Sequence, residues 1–201
     1  MPDILTERSY GWPEILVAGV DEVGRGPWAG PVVSAAVVLN IENIPEGLND
    51  SKKLSEKKRV SLFSSINKFH SVGVGSSSIE EIDSINILQA TFLSMKRAVN
   101  NLNFSPGLVL VDGSLDPGLE IKTKCIIKGD NISLSIAAAS IIAKVTRDNL
   151  MLEMDKEYPD YKWKKNKGYG TAEHRNALEI YGPCKYHRKS FSPINKMLGV
   201  D

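Results

Sequence analysis

The sequence predicts an α/β fold on a mixed five-stranded sheet flanked by helices, with a small helical and basic C-terminal extension. Three observations predict it. Five short strand-like runs lie at 15–22, 31–39, 70–77, 108–112 and 121–127, and from residue 55 they alternate with helical patterns. Only a Gly/Pro-rich turn joins the first two runs, which implies an antiparallel pair, whereas a later helical crossover implies a parallel one. Finally, 201 residues at 42% hydrophobic content can bury a core large enough for one main domain, here 1–155, on which residues 156–201 lean.

Taken in order, 15–22 (ILVAGVDE) is a buried strand ending in acid, and 31–39 (PVVSAAVVL) is its partner. Ser55 caps a helix running to about residue 67, with Lys58 and Arg59 on its exposed side. Residues 70–77 (HSVGVGSS) form a short third strand. Ile85, Leu88, Phe92, Met95 and Val99 have helical spacing and are expected in the core, with Lys96 and Arg97 late, as a helix end prefers. A fourth strand, 108–112 (LVLVD), again ends in acid, and 121–127 supplies the fifth. The alanine-rich segment 132–158 is a long buried helix. The polar, aromatic tail carries one more helix, Thr171 to Tyr181.

Composition narrows the function classes. The opening residues MPDILTERSYGW lack the basic start and apolar run of a secretory signal, and Cys125 and Cys184 lie far apart. A reducing, cytoplasmic setting is therefore expected. The uncharged stretch Gly26–Ile41 is too short for a membrane helix and holds Pro27 and Pro31, so no membrane partner is expected. Nothing resembles an assembly segment, which leaves a monomer as the expectation. Net charge is only +1, but Lys156–Lys196 holds ten Lys/Arg against four Asp/Glu. Lys52, Lys53, Lys57, Lys58 and Arg59 form a second basic cluster. Two such regions suit a polyanion, and equally a solvated surface.

The acids at the strand ends point to chemistry. Asp21 and Glu22 follow an apolar strand, Asp112 follows another, and Asp130 arrives in the KGDN turn before the long helix. Ligands of open α/β sheets gather beyond the carboxyl ends of strands. Acids collected there repel one another unless a cation sits between them. An oxygen-only donor set suits Mg²⁺ or Mn²⁺, and no His/Cys pattern with zinc spacing competes. Each acid alone also has a plain role, such as helix cap or turn former. Because adjacent strand residues face opposite ways, Asp21 and Glu22 cannot both aim inward from a regular strand. The strand is expected to end or bulge near Glu22, or Glu22 to act through its carbonyl, a break that Gly24 and Gly26 permit.

The run GVDEVGRGPWAGPV (19–32) fits a dinucleotide-binding loop poorly, since Pro27 interrupts its glycines and a strand follows. As a whole it resembles the opening signature of the type II ribonucleases H. The resemblance continues in order through NDSKKLSEKKR (49–59), LVDG (110–113), KGD (128–130), IAAASIIAKVTRD (136–148) and KGYGTAEHRNAL…YGPCKYHRKSF (167–191). The GYGTAEH and HRKSF segments are closer to the bacterial form. This resemblance implies an RNase H-like core (1–155) and a helical C-terminal region packed on it. It implies metal-binding, catalytic carboxylates at Asp21, Glu22, Asp112 and Asp130. It implies a GRG motif (Gly24, Arg25, Gly26) that reads the junction between a ribonucleotide and the DNA after it, with Tyr169 as junction-sensing tyrosine. Ser51, Lys52 and Lys53 are implied phosphate contacts, and Lys144 a support for the site or the nucleic-acid backbone. Trp28 stands where a leucine is common.

The implied activity is cutting of RNA–DNA hybrids and of ribonucleotides embedded in duplex DNA, on their 5′ side. Two divalent ions about 4 Å apart would serve the attacking water and the leaving oxygen, giving 5′-phosphate and 3′-hydroxyl ends. Discrimination would rest on the 2′-hydroxyl. His70, His174 and His187 are then expected in structural or phosphate-contact roles. Two other readings stay open: a non-catalytic hybrid-binding module, and another acid-cluster enzyme acting on DNA.

Overall fold

In the computed structural model, which describes residues 1–199, the described residues form a five-stranded sheet ordered β3-β2-β1-β4-β5. The strands are β1 (Val17–Val23), β2 (Val32–Val38), β3 (Ser71–Ser77), β4 (Leu108–Asp112) and β5 (Thr123–Ile126). β1 pairs antiparallel with β2 and parallel with β4, so the sheet is mixed, as the turn lengths predicted. The helices are α1 (Leu5–Ser9), α2 (Glu56–Phe69), α3 (Ile79–Asn100), α4 (Leu134–Glu157), α5 (Trp163–Asn166), α6 (Ala172–Tyr181) and α7 (Ile194–Met197). None is long and apolar enough to cross a membrane.

Alternation along the strands assigns the two faces. Ala18, Val20, Ala36, Val38, Val109 and Val111 pack with Met95 and Ala98 of α3. The intervening positions face α2 and α4: Ala35 and Val37 meet Leu62, Ile66 and Ile141, while Val17 and Leu110 meet Ile136. α4 sits close because β1 offers a glycine. A Cβ on Gly19 would stand 2.1 Å from the Ser135 backbone carbon. Gly19→Ala must therefore push α4 off β1, an overpacking that costs roughly 1–3 kcal/mol. A thermal melt should fall by about 2–4 °C per kcal/mol lost, and an unchanged melt would mean that the close approach is not needed.

The Ser55 cap appears where the sequence put it, accepting from the Lys58 amide, while Thr171, expected as the first residue of its helix, stands just outside it as the cap and accepts from the His174 amide. Two expectations are corrected. α3 starts at Ile79, with Ser78 and Glu81 forming a capping box, and is interrupted at Asn86 (φ 66°, ψ 164°). The break rotates the register, so Ile85, expected in the core, is 38% exposed, while Ile82 is buried. β1 begins at Val17 rather than residue 15, because Ile15 and Leu16 project past the start of β4 and remain exposed.

The tail packs through Tyr161, Trp163, Ala177, Leu178 and Ile194 onto Met151 of α4 and Ala29 of the β1–β2 loop. α4 itself runs through the expected 155/156 boundary. Short α1 is tied down by Glu7, whose buried carboxylate accepts from Ser133 Oγ (2.6 Å), Ser135 Oγ (2.7 Å) and the Ser135 amide (2.8 Å) at the start of α4.

Candidate active site

The parallel pairing of β1 with β4 matches Val20 to Val111, which sets Asp21 and Asp112 side by side one residue further on. Both lie on the α4 face, since Gly19 and Leu110 two residues earlier touch that helix. Asp130 enters from the same side, on the 3₁₀ turn Gly129–Asn131 just ahead of α4. That turn is stitched to β4 by the Gly129 amide, which donates to Asp112 Oδ1 at 2.7 Å. Lys128 takes left-handed backbone (φ 58°) to make the turn possible.

Glu22 does not join them. Regular pairing continues through Val23 with Val33, so the strand neither ends nor bulges at Glu22. Its side chain falls on the opposite face, where Oε1 lies 3.6 Å from Arg25 Nη1. Of the two routes open to this residue, a backbone contribution suits its place better than a side chain aimed with the other three.

The electrostatics are those of crowded anions. Asp21 is 7% exposed and its carboxyl is raised well above the usual range, by burial first, then by Glu22, Asp112 and Asp130. Burial, opposed by Arg25 and reinforced by Asp112, raises Glu22. Asp130 is raised by burial, then by Asp112 and Asp50. Local donors hold the carboxylates apart: Asp21 Oδ1 accepts from the Glu22 amide (2.7 Å) and Asp130 Oδ1 from Asn131 Nδ2 (2.7 Å). Among the described residues no three His, Cys, Asp or Glu side chains are already gathered as a metal cage. The donor set nonetheless fits a hard divalent cation: oxygen only, half-withdrawn from water, and mutually repelling in a way that positive charge would relieve.

The other expected residues divide. Lys52 and Lys53 are exposed on a 3₁₀ turn capped by Asp50, and Lys53 Nζ donates to Asn131 Oδ1, beside Asp130. Ser51 in that turn is buried, its amide donating to Ser140 Oγ of α4 at 3.2 Å. Lys144 forms an ion pair with Asp148 at 2.8 Å and lines a groove of about 470 Å³ with Arg59, Lys164, Lys165 and Lys167. Tyr169 is 43% exposed and lies against the GRG loop, where a Cβ on Gly26 would come 3.7 Å from its ring.

Three contributors were not legible as such. Trp28 packs on the Tyr169 segment so tightly that a Cβ on Gly170 would meet its ring at 2.2 Å, and the Trp28 amide donates to Gly168 O (2.8 Å). Arg147 passed without remark in the AKVTRD segment and Arg188 entered only as one of the basic residues of the tail, but both are fully buried behind the GRG loop. Hydrogen bonds to loop carbonyls, rather than charge count, define them.

The histidines are structural. His70 Nδ1 accepts from the Asn40 amide (2.9 Å). His187 Nδ1 accepts from the Cys184 amide, so a neutral His187 carries its proton on Nε2 and donates to His174 Nε2 at 3.0 Å. His174 also accepts from Trp163 Nε1 (3.1 Å) and turns its Nδ1 to Tyr169 O (2.9 Å). Burial, and then His174, push His187 down to about 3.

The family model described as Ribonuclease HII matches residues 18–194. Ribonuclease HII of Jannaschia sp. (strain CCS1) is 54% identical over 98% of this chain and 98% of its own length. Among solved structures, the ribonuclease H2 from Pyrococcus horikoshii OT3 is 29% identical with a TM-score of 0.75, covering 90% of this chain and 96% of that one. Bst-RNase HIII, solved in complex with Mn²⁺, has a TM-score of 0.72 over 96% of this chain and 72% of its own; at 19% identity that likeness shows the fold alone.

Proposed function

The chain belongs to the ribonuclease HII family and is an endonucleolytic ribonuclease H, and from that premise we propose that it hydrolyses the RNA strand of RNA–DNA hybrids and cuts on the 5′ side of ribonucleotides embedded in duplex DNA. One observation carries the chemistry: Asp21 and Asp112 lie side by side on adjacent strands and Asp130 on the turn ahead of α4, all on one face, where Asp112 raises the carboxyls of both the others. These residues would hold Mg²⁺ or Mn²⁺ in a two-ion site, with Glu22 contributing through its backbone carbonyl. When bound, such ions lower the pKa of an attacking water and relieve charge on the phosphoryl and leaving oxygens. The carboxylates position and do not attack, so the products carry 5′-phosphate and 3′-hydroxyl ends. No 2′-hydroxyl nucleophile is required.

Residues 1–155 would serve as the catalytic core, with 156–201 helping to read the substrate. Gly24 and Gly26 let backbone approach a ribose closely, and Arg25 adds positive charge near its phosphate. The Tyr169 ring offers a flat face for the following deoxyribose. Lys52, Lys53, Lys144 and the lysines of α5 would track the phosphates, Ser51 supporting their turn from beneath. Such an enzyme would remove ribonucleotides from DNA.

The test is a panel of duplexes: one embedded ribonucleotide, uniform RNA–DNA hybrid, and all-DNA, each with Mg²⁺, Mn²⁺ or chelator. Metal-dependent cutting of the first two, and none of the third, is expected. An intact single-ribonucleotide duplex alongside a cut all-DNA control would turn the assignment to a DNA nuclease. Tyr169→Ala should lower junction cleavage by about 10- to 100-fold while leaving Mn²⁺ affinity unchanged. Equal losses in both would mean that the ring supports the fold.

A further inference from the structure

Arg147 and Arg188 are the two largest charged side chains withdrawn completely from solvent, both at 0% exposure. Neither guanidinium hydrogen-bonds a carboxylate among the described residues. Arg147 donates to the carbonyls of Pro31 (2.9 Å), Ala29 (3.0 Å) and Lys167 (2.9 Å). Arg188 donates to those of Gly30 (2.9 Å), Arg25 (2.9 Å) and Gly24 (2.5 Å). Five of the six carbonyls belong to residues 24–31 and the sixth to the segment carrying Tyr169. Gly24 (φ +98°) is shaped around this arrangement, since a Cβ there would meet Arg147 Nε at 2.2 Å.

Burying two like charges together without anions is expensive, and apolar residues of similar volume would stabilise the fold more. Burial lowers Arg188 to about 9, with Arg147 adding repulsion, and lowers Arg147 to about 10, so both remain cationic at neutral pH. What the pair supplies instead is geometry. A planar fork fixes the directions of several carbonyls at once, which a lysine cannot do. With those carbonyls turned inward, the Arg25 and Gly26 amides donate to no side chain or loop carbonyl among the described residues, leaving them for a ligand. Two fixed positive charges also lie directly behind a loop that must approach a phosphate.

We propose that Arg147 and Arg188 are positioning residues for ribose discrimination: from behind, they fix the GRG loop and lock it in register with Tyr169. The proposal rests on the junction-cutting reading above. It places specificity in two residues that never touch the substrate.

The experiment compares wild type with Arg188→Lys and Arg147→Lys, which retain charge and lose the fork. It measures kcat/KM on the single-ribonucleotide duplex and on uniform hybrid, Mn²⁺ affinity by calorimetry, and the melting temperature. Junction cleavage should fall about 10- to 100-fold relative to hybrid cleavage, with Mn²⁺ affinity retained. In Arg188→Ala, millimolar guanidinium should restore part of the junction activity, whereas equal concentrations of NaCl should not. Should either lysine variant unfold, the other variant and the guanidinium rescue decide. An unchanged junction-to-hybrid ratio in folded variants, or parallel loss of both activities and of Mn²⁺ affinity, would overturn the proposal. If wild type cuts hybrid but not the single-ribonucleotide duplex, the junction reading itself fails, independently of any variant.

Discussion

Asp112→Asn is expected to lower cleavage by roughly 10³-fold while the protein stays folded. Asparagine keeps the shape of aspartate and an Oδ1 acceptor, so the 2.7 Å bond from the Gly129 amide survives and the KGD turn keeps its place. What disappears is one negative charge at the tip of β4, beside Asp21. Circular dichroism and melting should match wild type within about 2 °C, less than the shift that 1 kcal/mol produces in a chain of this size. Activity within a few-fold of wild type would show that the carboxylate is not part of the cutting apparatus. Loss of activity together with unfolding would place Asp112 among structural residues instead.

Asp21→Asn should move stability and function in opposite directions. Burial and three neighbouring acids raise the Asp21 carboxyl well above its ordinary value. A carboxyl whose folded pKa exceeds its unfolded one favours the fold when protonated. The ionised form therefore penalises the folded state as pH rises past the unfolded value, fully so above the folded one. At neutral pH without divalent metal, removing that charge should raise the melting temperature. Lowering pH toward the unfolded carboxylate value should erase the difference, because wild-type Asp21 is then protonated as well. Added Mn²⁺ should reverse the order: it binds only the folded carboxylate site and stabilises wild type by mass action. Cleavage by the variant should be lost. A variant less stable than wild type in chelator would contradict the view of Asp21 as a strained anion awaiting a cation.

The sheet was readable because each strand is a short apolar run and the turn between β1 and β2 is too brief for a crossover. The acids were readable because they end such runs. Facing was only half readable: alternation correctly set Asp21 and Glu22 apart, but Gly24 and Gly26 suggested a break, whereas pairing to Val33 carries β1 through Val23. Asn86 hid the true core stripe of α3, since no pattern of apolar residues announces a positive φ at an exposed asparagine. Arg147 and Arg188 gave no sign of their role, because composition counts a guanidinium without saying whether it meets water or carbonyl oxygen. Glu7 escaped notice for a related reason: its partners, Ser133 and Ser135, lie more than a hundred residues away. Polar side chains satisfied by distant backbone leave little periodic trace in a sequence.

The most direct measurement is a calorimetric titration of Mn²⁺ into the substrate-free protein, for wild type and the Asp21→Asn/Asp112→Asn double variant. Wild type should give a saturable isotherm, because a divalent cation relieves the mutual repulsion of the clustered carboxylates. The double variant should give only dilution heat. Identical isotherms for the two proteins would mean that Asp21 and Asp112 do not hold the ion, and the account of cleavage would not stand.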